Sequence, residues 1–358
     1  MTQDEPLSSI NTALIEGAIL PEITPGRLGN PLIPPISAGD SPTFLMPGAP
    51  PPVVVTRVPW GISWLDRLCG GGMDQGDCAA FISPPGSGKT ALGVQIAVAR
   101  ARMGMDAIFI SYDEPIDAGC VTDLSARFYA NATRVSKNRF HGKTGAEWDP
   151  EARGKYDEAC KTLGAHLRPY DMASNAQGYG GIDDIREVVA SESRCGRRPT
   201  LIVIDWAWAA VSRFMSRQEA LHHAHDPQNP VQAMDEFVGE FAQLCRAEKI
   251  QGMILQQIAT DSYSGHVVEA HYRNDALCKC LGQYCRFALG APRLDESGRT
   301  QIISARGDMD SGDYPTAFVQ LDGELSEFKP VSLFEGEPTV PHPGSAPRAE
   351  PPTVRTSR

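Results

Sequence analysis

Eight consecutive residues, Ser83-Pro84-Pro85-Gly86-Ser87-Gly88-Lys89-Thr90, have the residue types of a phosphate cradle. Such a loop needs small residues, because backbone N–H groups must close around phosphate oxygens. Gly86 and Gly88 allow that approach, and the positive end of the helix that follows adds to it. Lys89 is placed to reach the β- and γ-phosphates of ATP, and the Thr90 hydroxyl to ligate Mg2+. The pattern departs from G-x-x-x-x-G-K-[ST] at its first position, where Ser83 replaces glycine.

Other chemistry-bearing residues each close an apolar run. Asp113 and Glu114 follow Asp106–Tyr112 and stop at Pro115. Asp205 ends Thr200-Leu-Ile-Val-Ile, the most apolar run of the chain, as does the magnesium-water holder of a P-loop NTPase. Gln256 and Gln257 end the run that starts at Gly252.

The elements that must position these residues follow from periodicity. Cys78–Ile82 reads as the strand before the loop, and Thr90–Met103 as the helix after it. Strands are expected at Asp106–Tyr112, His166–Tyr170, Thr200–Asp205, Gly252–Gln257, Phe287–Gly290, Thr300–Ser304 and Ala317–Leu321. Helices are expected at Asp117–Ala130, Pro150–Leu163, Ile182–Ser193 and Val231–Ala247, with loops at Ser212–Asn229 and Thr260–Asp275. Alternation of strand and helix implies an α/β fold, a mostly parallel sheet with helices on both faces. The site then falls at the carboxyl ends of the strands.

At 358 residues there is ample chain for a large core. The formal charge of −11 argues against a surface coated for nucleic acid, without excluding a local basic channel. Nine cysteines without a paired framework fit reduced thiols in a cytoplasmic protein. No run approaches a membrane span. Residues 1–52 read as a proline-rich arm, with a short helix at Ser8–Leu20 carrying Ile10, Leu14, Ile15 and Ala18. Residues 53–332 read as the ordered domain and 333–358 as a second proline-rich, disordered tail.

Several tempting constellations have plainer explanations. His222-His223-Ala-His225-Asp226 is too tightly packed for a metal-binding helix face and is assigned to a loop. Cys278-x-Cys280-x4-Cys285 lacks C-x-x-C spacing and a fourth ligand, which suits packing cysteines. Trp60 and Trp64 read as core-edge aromatics rather than adenine-stacking rings.

With these residues in place, about Val53 to Pro330 resembles the RecA-like P-loop ATPases, nearest to the C-terminal ATPase domain of DnaB-type replicative helicases, with KaiC-like ATPases next. Gly61-Ile-Ser-Trp-Leu-Asp with Gly70-Gly-Gly resembles the lead-in of both groups. Gly142–Trp148 and His166-Leu-Arg-Pro-Tyr-Asp look more like the helicase. The resemblance implies an ATP- and Mg2+-dependent hydrolase acting on single-stranded DNA as a homo-oligomer, a hexameric ring. It implies that Asp113 or Glu114 activates water, that Gln257 senses the γ-phosphate, and that Arg306 reaches a neighbouring subunit's nucleotide. It also departs from the family. Asp113 stands where the helicases have glutamate, only Arg306 remains of a Lys-x-Arg finger, and an arm of 52 residues stands where a globular N-terminal domain is expected. Arg213, Arg217 and Arg273 make a thin basic lining for a DNA channel. The alternative function is a KaiC-like regulatory or assembly ATPase.

Overall fold

The computed structural model describes residues 57–116, 119–174, 181–222, 229–258, 276–304 and 315–331. The Ser8–Leu20 helix, Arg273, Arg306 and the tail from 333 lie outside the described residues.

A short helix α1 (Ser63–Leu68) leads to β1 (Cys78–Ser83) and then α2 (Lys89–Arg102). Next come β2 (Ala107–Ser111), α3 (Asp123–Thr133), α4 (Pro150–Leu163), β3 (Leu167–Asp171) and α5 (Ile182–Arg194). The central part is β4 (Leu201–Asp205), α6 (Ala207–His222), α7 (Pro230–Glu248) and β5 (Gln251–Gln257). After the Ala276–Tyr284 helix the chain forms β6 (Phe287–Gly290), β7 (Arg299–Ser304), β8 (Thr316–Asp322) and β9 (Glu327–Pro330).

The strands form one sheet in the order β3-β2-β4-β5-β1-β6-β7-β8-β9. From β3 to β6 every pairing is parallel, and from β6 to β9 every pairing is antiparallel. The fold is therefore the α/β arrangement expected, a mostly parallel sheet covered on both faces. Strand alternation sorts the core cleanly. Phe81, Phe109, Val203 and Leu255 face the layer containing α2, while Ile82, Ile110, Ile204 and Ile254 face the layer containing α7. Helix α2 is buried on every side from Ala91 to Ala101, with Gln95 and Arg100 as polar residues among apolar ones. Gly93 brings it close to the sheet, where a Cβ would lie 2.7 Å from Leu255.

Three expectations need correction. The helix predicted over Asp117–Ala130 begins only at Asp123, capped by the Thr122 side chain. Val121 is instead hydrogen-bonded to Gly142 and Lys143. The loop expected from Ser212 is helical as far as His222, because Ala207, Ala210 and Val211 form a buried stripe at helical spacing. Strand β9 was not anticipated, since its four residues offer one buried side chain, Phe328, and no apolar run. Trp60 and Trp64 are core residues, and Cys280 and Cys285 are buried packing cysteines, as expected.

The segment between α3 and α4 has a small core of its own. Tyr129, Phe140, Trp148 and Tyr156 pack edge to face with centroids 4.8–5.7 Å apart. An apolar hollow between α3, α4 and β3, lined in part by Ile116, Phe128, Tyr156 and Leu163, borders it. No helix among the described residues is long and apolar enough to cross a membrane.

Candidate nucleotide site

Residues 84–88 turn sharply out of β1, and Gly86 and Gly88 take positive φ values of 75° and 83°. Gly88 is the N-cap of α2 and offers no side-chain oxygen, so the first N–H groups of that helix lack a side-chain cap. A Cβ on Gly86 would meet nothing within 4 Å, which leaves that side of the loop open. The hydroxyls of Ser83 and Ser87 are buried without a hydrogen-bond partner. Orphaned donors around an open, uncapped helix start fit a phosphate group.

Lys89 is folded back on its own loop, donating to the carbonyls of Pro84 (2.9 Å) and Ser83 (3.3 Å). Burial pulls its ammonium down to about 8, against the attraction of Asp205 and Asp113. The Asp205 carboxyl is pushed up to about 6, chiefly by burial and further by Glu114 and Asp113. A hydrogen bond from the Thr90 hydroxyl and the charge of Lys89 act the other way. Thr90 and Asp205 thus form a pair of hard oxygen donors beside a lysine, which fits Mg2+ that keeps most of its ligands as water and phosphate.

Sheet register explains why these groups meet. Ser83 pairs with Gln257, and Ser111 pairs with Asp205. Counting alternate residues back along each strand places Ser83, Ser111, Asp205 and Gln257 all on the α2 face. Gln256 belongs to the opposite face, where its Oε1 accepts from the Trp208 N–H at 3.2 Å. The two amides are adjacent in sequence but serve different layers.

The acidic pair sits on the turn after β2. This turn is held by Tyr112 N–H to the Asp205 carbonyl (2.7 Å), by Ser111 Oγ to the Glu114 carbonyl (2.5 Å), and by Ile116 N–H to Asp171 Oδ2 (3.0 Å). Asp113 is exposed and Glu114 half-buried. Burial raises the Glu114 carboxyl, opposed first by Arg127, with Asp123 and Asp113 adding to the rise. Arg213, expected in a DNA-facing loop, lies on α6 and donates to the carbonyls of Met172 and Ala173. That tie left no mark in the sequence, because it joins α6 to the turn after β3 through main-chain acceptors.

The fold is RecA-like, and with this arrangement the chain is similar to the RecA-like P-loop ATPases. The family described as "ATPase: KaiC" matches residues 58–138, which hold the phosphate loop and the acidic turn. The DNA repair and recombination protein RadB of Methanothermobacter thermautotrophicus is 33% identical over 73 residues, 20% of this chain and 31% of that protein. The match thus spans less than a third of that relative. A solved ATPase domain has a TM-score of 0.60 at 15% identity, covering 78% of this chain and 92% of its own. A solved DnaB-like replicative helicase, determined with its interactions with primase, gives 0.60 at 15%, covering 78% of this chain and 62% of its own.

Proposed function

We propose that this chain hydrolyses Mg-ATP and couples the hydrolysis to movement on single-stranded DNA, as a DnaB-like helicase core. The observation that carries the ATPase part is the convergence of Lys89, Thr90 and Asp205 at an uncapped helix start with two orphaned serine hydroxyls. In this reading Ser83–Thr90 hold the phosphates, with Pro84, Pro85, Gly86, Ser87 and Gly88 shaping the cradle. Lys89 leaves its carbonyl partners for the β- and γ-phosphates. Thr90 and Asp205 hold Mg2+, which neutralises phosphate charge when bound. Asp113, with Glu114 beside it, orients the attacking water and takes its proton. Gln257 registers the γ-phosphate, and Arg306 is offered to a neighbouring copy in a ring, where such a finger is worth roughly 10³–10⁵ in rate.

Coupling to DNA is supported by the likeness to the DnaB-like helicase fold and by RadB's description as a repair and recombination protein. The KaiC match favours a second reading, a regulatory ATPase indifferent to DNA. The commitment of Arg213 to carbonyls removes one cation from the expected channel lining and leans the same way. Steady-state ATPase assays with and without single-stranded DNA separate the two. Stimulation of tenfold or more supports the motor, whereas Lys89-dependent turnover unchanged by DNA replaces it with the regulatory reading.

A further inference from the structure

The last strand of the sheet reaches the phosphate loop from behind. A Cβ built on Gly88 would lie 2.6 Å from Cζ and 3.0 Å from Cε2 of Phe328, and 3.2 Å from Leu321. The ring edge therefore rests directly against the Cα hydrogens of the last glycine before Lys89. No residue with a side chain fits there, and the positive φ of Gly88 gives a second, independent reason for glycine.

The ring is not merely one more core side chain, because its backbone is fixed from the same helix that the loop begins. The Phe328 N–H donates to Gln95 Oε1 (2.9 Å), and Gln95 Nε2 donates back to the Phe328 carbonyl (3.1 Å). Trp64 Nε1 donates to that carbonyl as well (3.3 Å). All three bonds are buried. Gln95 lies six residues past Lys89 on α2, about 9 Å along the axis. Helix α2 thus grips the strand at one level and receives its aromatic ring at another, beneath its own N-cap.

We propose that Phe328 is a positioning residue for nucleotide binding: its ring is the floor that holds Gly88, and with it the N–H groups at the start of α2, in phosphate-binding geometry. The inference rests on the reading of Ser83–Thr90 as the nucleotide loop. Phe328 touches no nucleotide itself, being 1% exposed. Its removal acts on ATP affinity rather than on the chemical step, since the acidic turn follows a different strand.

Phe328→Leu is the informative variant, because leucine keeps most of the buried volume but lacks the ring tip at Gly88. Phe241→Leu is the comparator: Phe241 is equally buried but packs on the other layer, against Gly252 at the opposite end of β5. Thermal melts and titration with magnesium mant-ATP are run on wild type, both variants and Lys89→Ala. The expected result is at least a fivefold loss of affinity in Phe328→Leu, with KM for ATP raised and kcat within twofold of wild type. Phe241→Leu lowers the melting temperature with affinity unchanged. Wild-type affinity in Phe328→Leu, or equal losses in both phenylalanine variants, overturns the inference while leaving the nucleotide site intact. A wild type that binds no nucleotide, or binds it as Lys89→Ala does, overturns both.

Discussion

The two halves of the sheet contribute different things to one site. The parallel half, β3 to β6, ends each of four strands on a polar group aimed at the α2 face: Ser83, Ser111, Asp205 and Gln257. The antiparallel annex, β7 to β9, closes on α2 through Phe328, whose backbone is held by Gln95 of α2 and Trp64 of α1. In the proposed reading, one half holds the reacting groups and the other holds the shape of the loop they use. The difference teaches that lesions in the two halves must have different kinetic signatures. Parallel-half lesions strike turnover, whereas annex lesions strike affinity and stability.

The largest break of this contrast comes from Asp205. Asp205→Ala removes both the Thr90 partner and the carboxylate, and is expected to lower ATP turnover by about 10²–10³-fold. A steady-state phosphate-release assay reads this directly, and an active variant would remove Asp205 from the site. Next come the two acids. Both acids act on Asp205, Glu114 the more strongly, but Asp113 also acts on Lys89, whereas Glu114 is engaged electrostatically by Arg127, Asp123 and Lys137. Asp113→Asn is therefore expected to lower kcat about a hundredfold with KM little changed, and Glu114→Gln to have the smaller effect. The reverse ranking would give the water to Glu114.

A third prediction concerns pH in the magnesium-free protein. The folded Asp205 carboxyl lies near 6 against an ordinary value of 3.8, so the folded state binds the extra proton between those values. Its contribution to stability is complete below about pH 4 and is lost as pH rises through about 6. The melting temperature of wild type relative to Asp205→Asn should fall across that window, and parallel curves would contradict the buried charge. The smallest effect lies away from both halves. Thr122→Ala removes the cap of α3 and should cost about 1 kcal/mol in urea unfolding, with ATP turnover unchanged.

The residues of the phosphate loop and Asp205 could be read from the chain because their chemistry depends on local patterns, glycines in a turn and a carboxylate closing an apolar strand. Gln257 was named over Gln256 by the resemblance alone, since which of the two meets the α2 face depends on the finished sheet. Helix α6 was hidden because its apolar stripe begins two residues after a strand, with no capping signal between them to mark a boundary. Phe328 was hidden more deeply. Its partners Gln95 and Trp64 lie 233 and 264 residues away, and its short strand carries Glu327 and Lys329 on either side. Only the pairing order of the annex brings that ring beneath Gly88.

The central claim is that residues 83–90 with Asp205 form a working Mg-ATP site. Its most direct test is the Mg2+-dependent ATP hydrolysis rate of wild type beside Lys89→Ala. The structure predicts measurable turnover in wild type and a loss of at least about a hundredfold in the variant. Equal rates in the two proteins, or hydrolysis that persists without Mg2+, would contradict it.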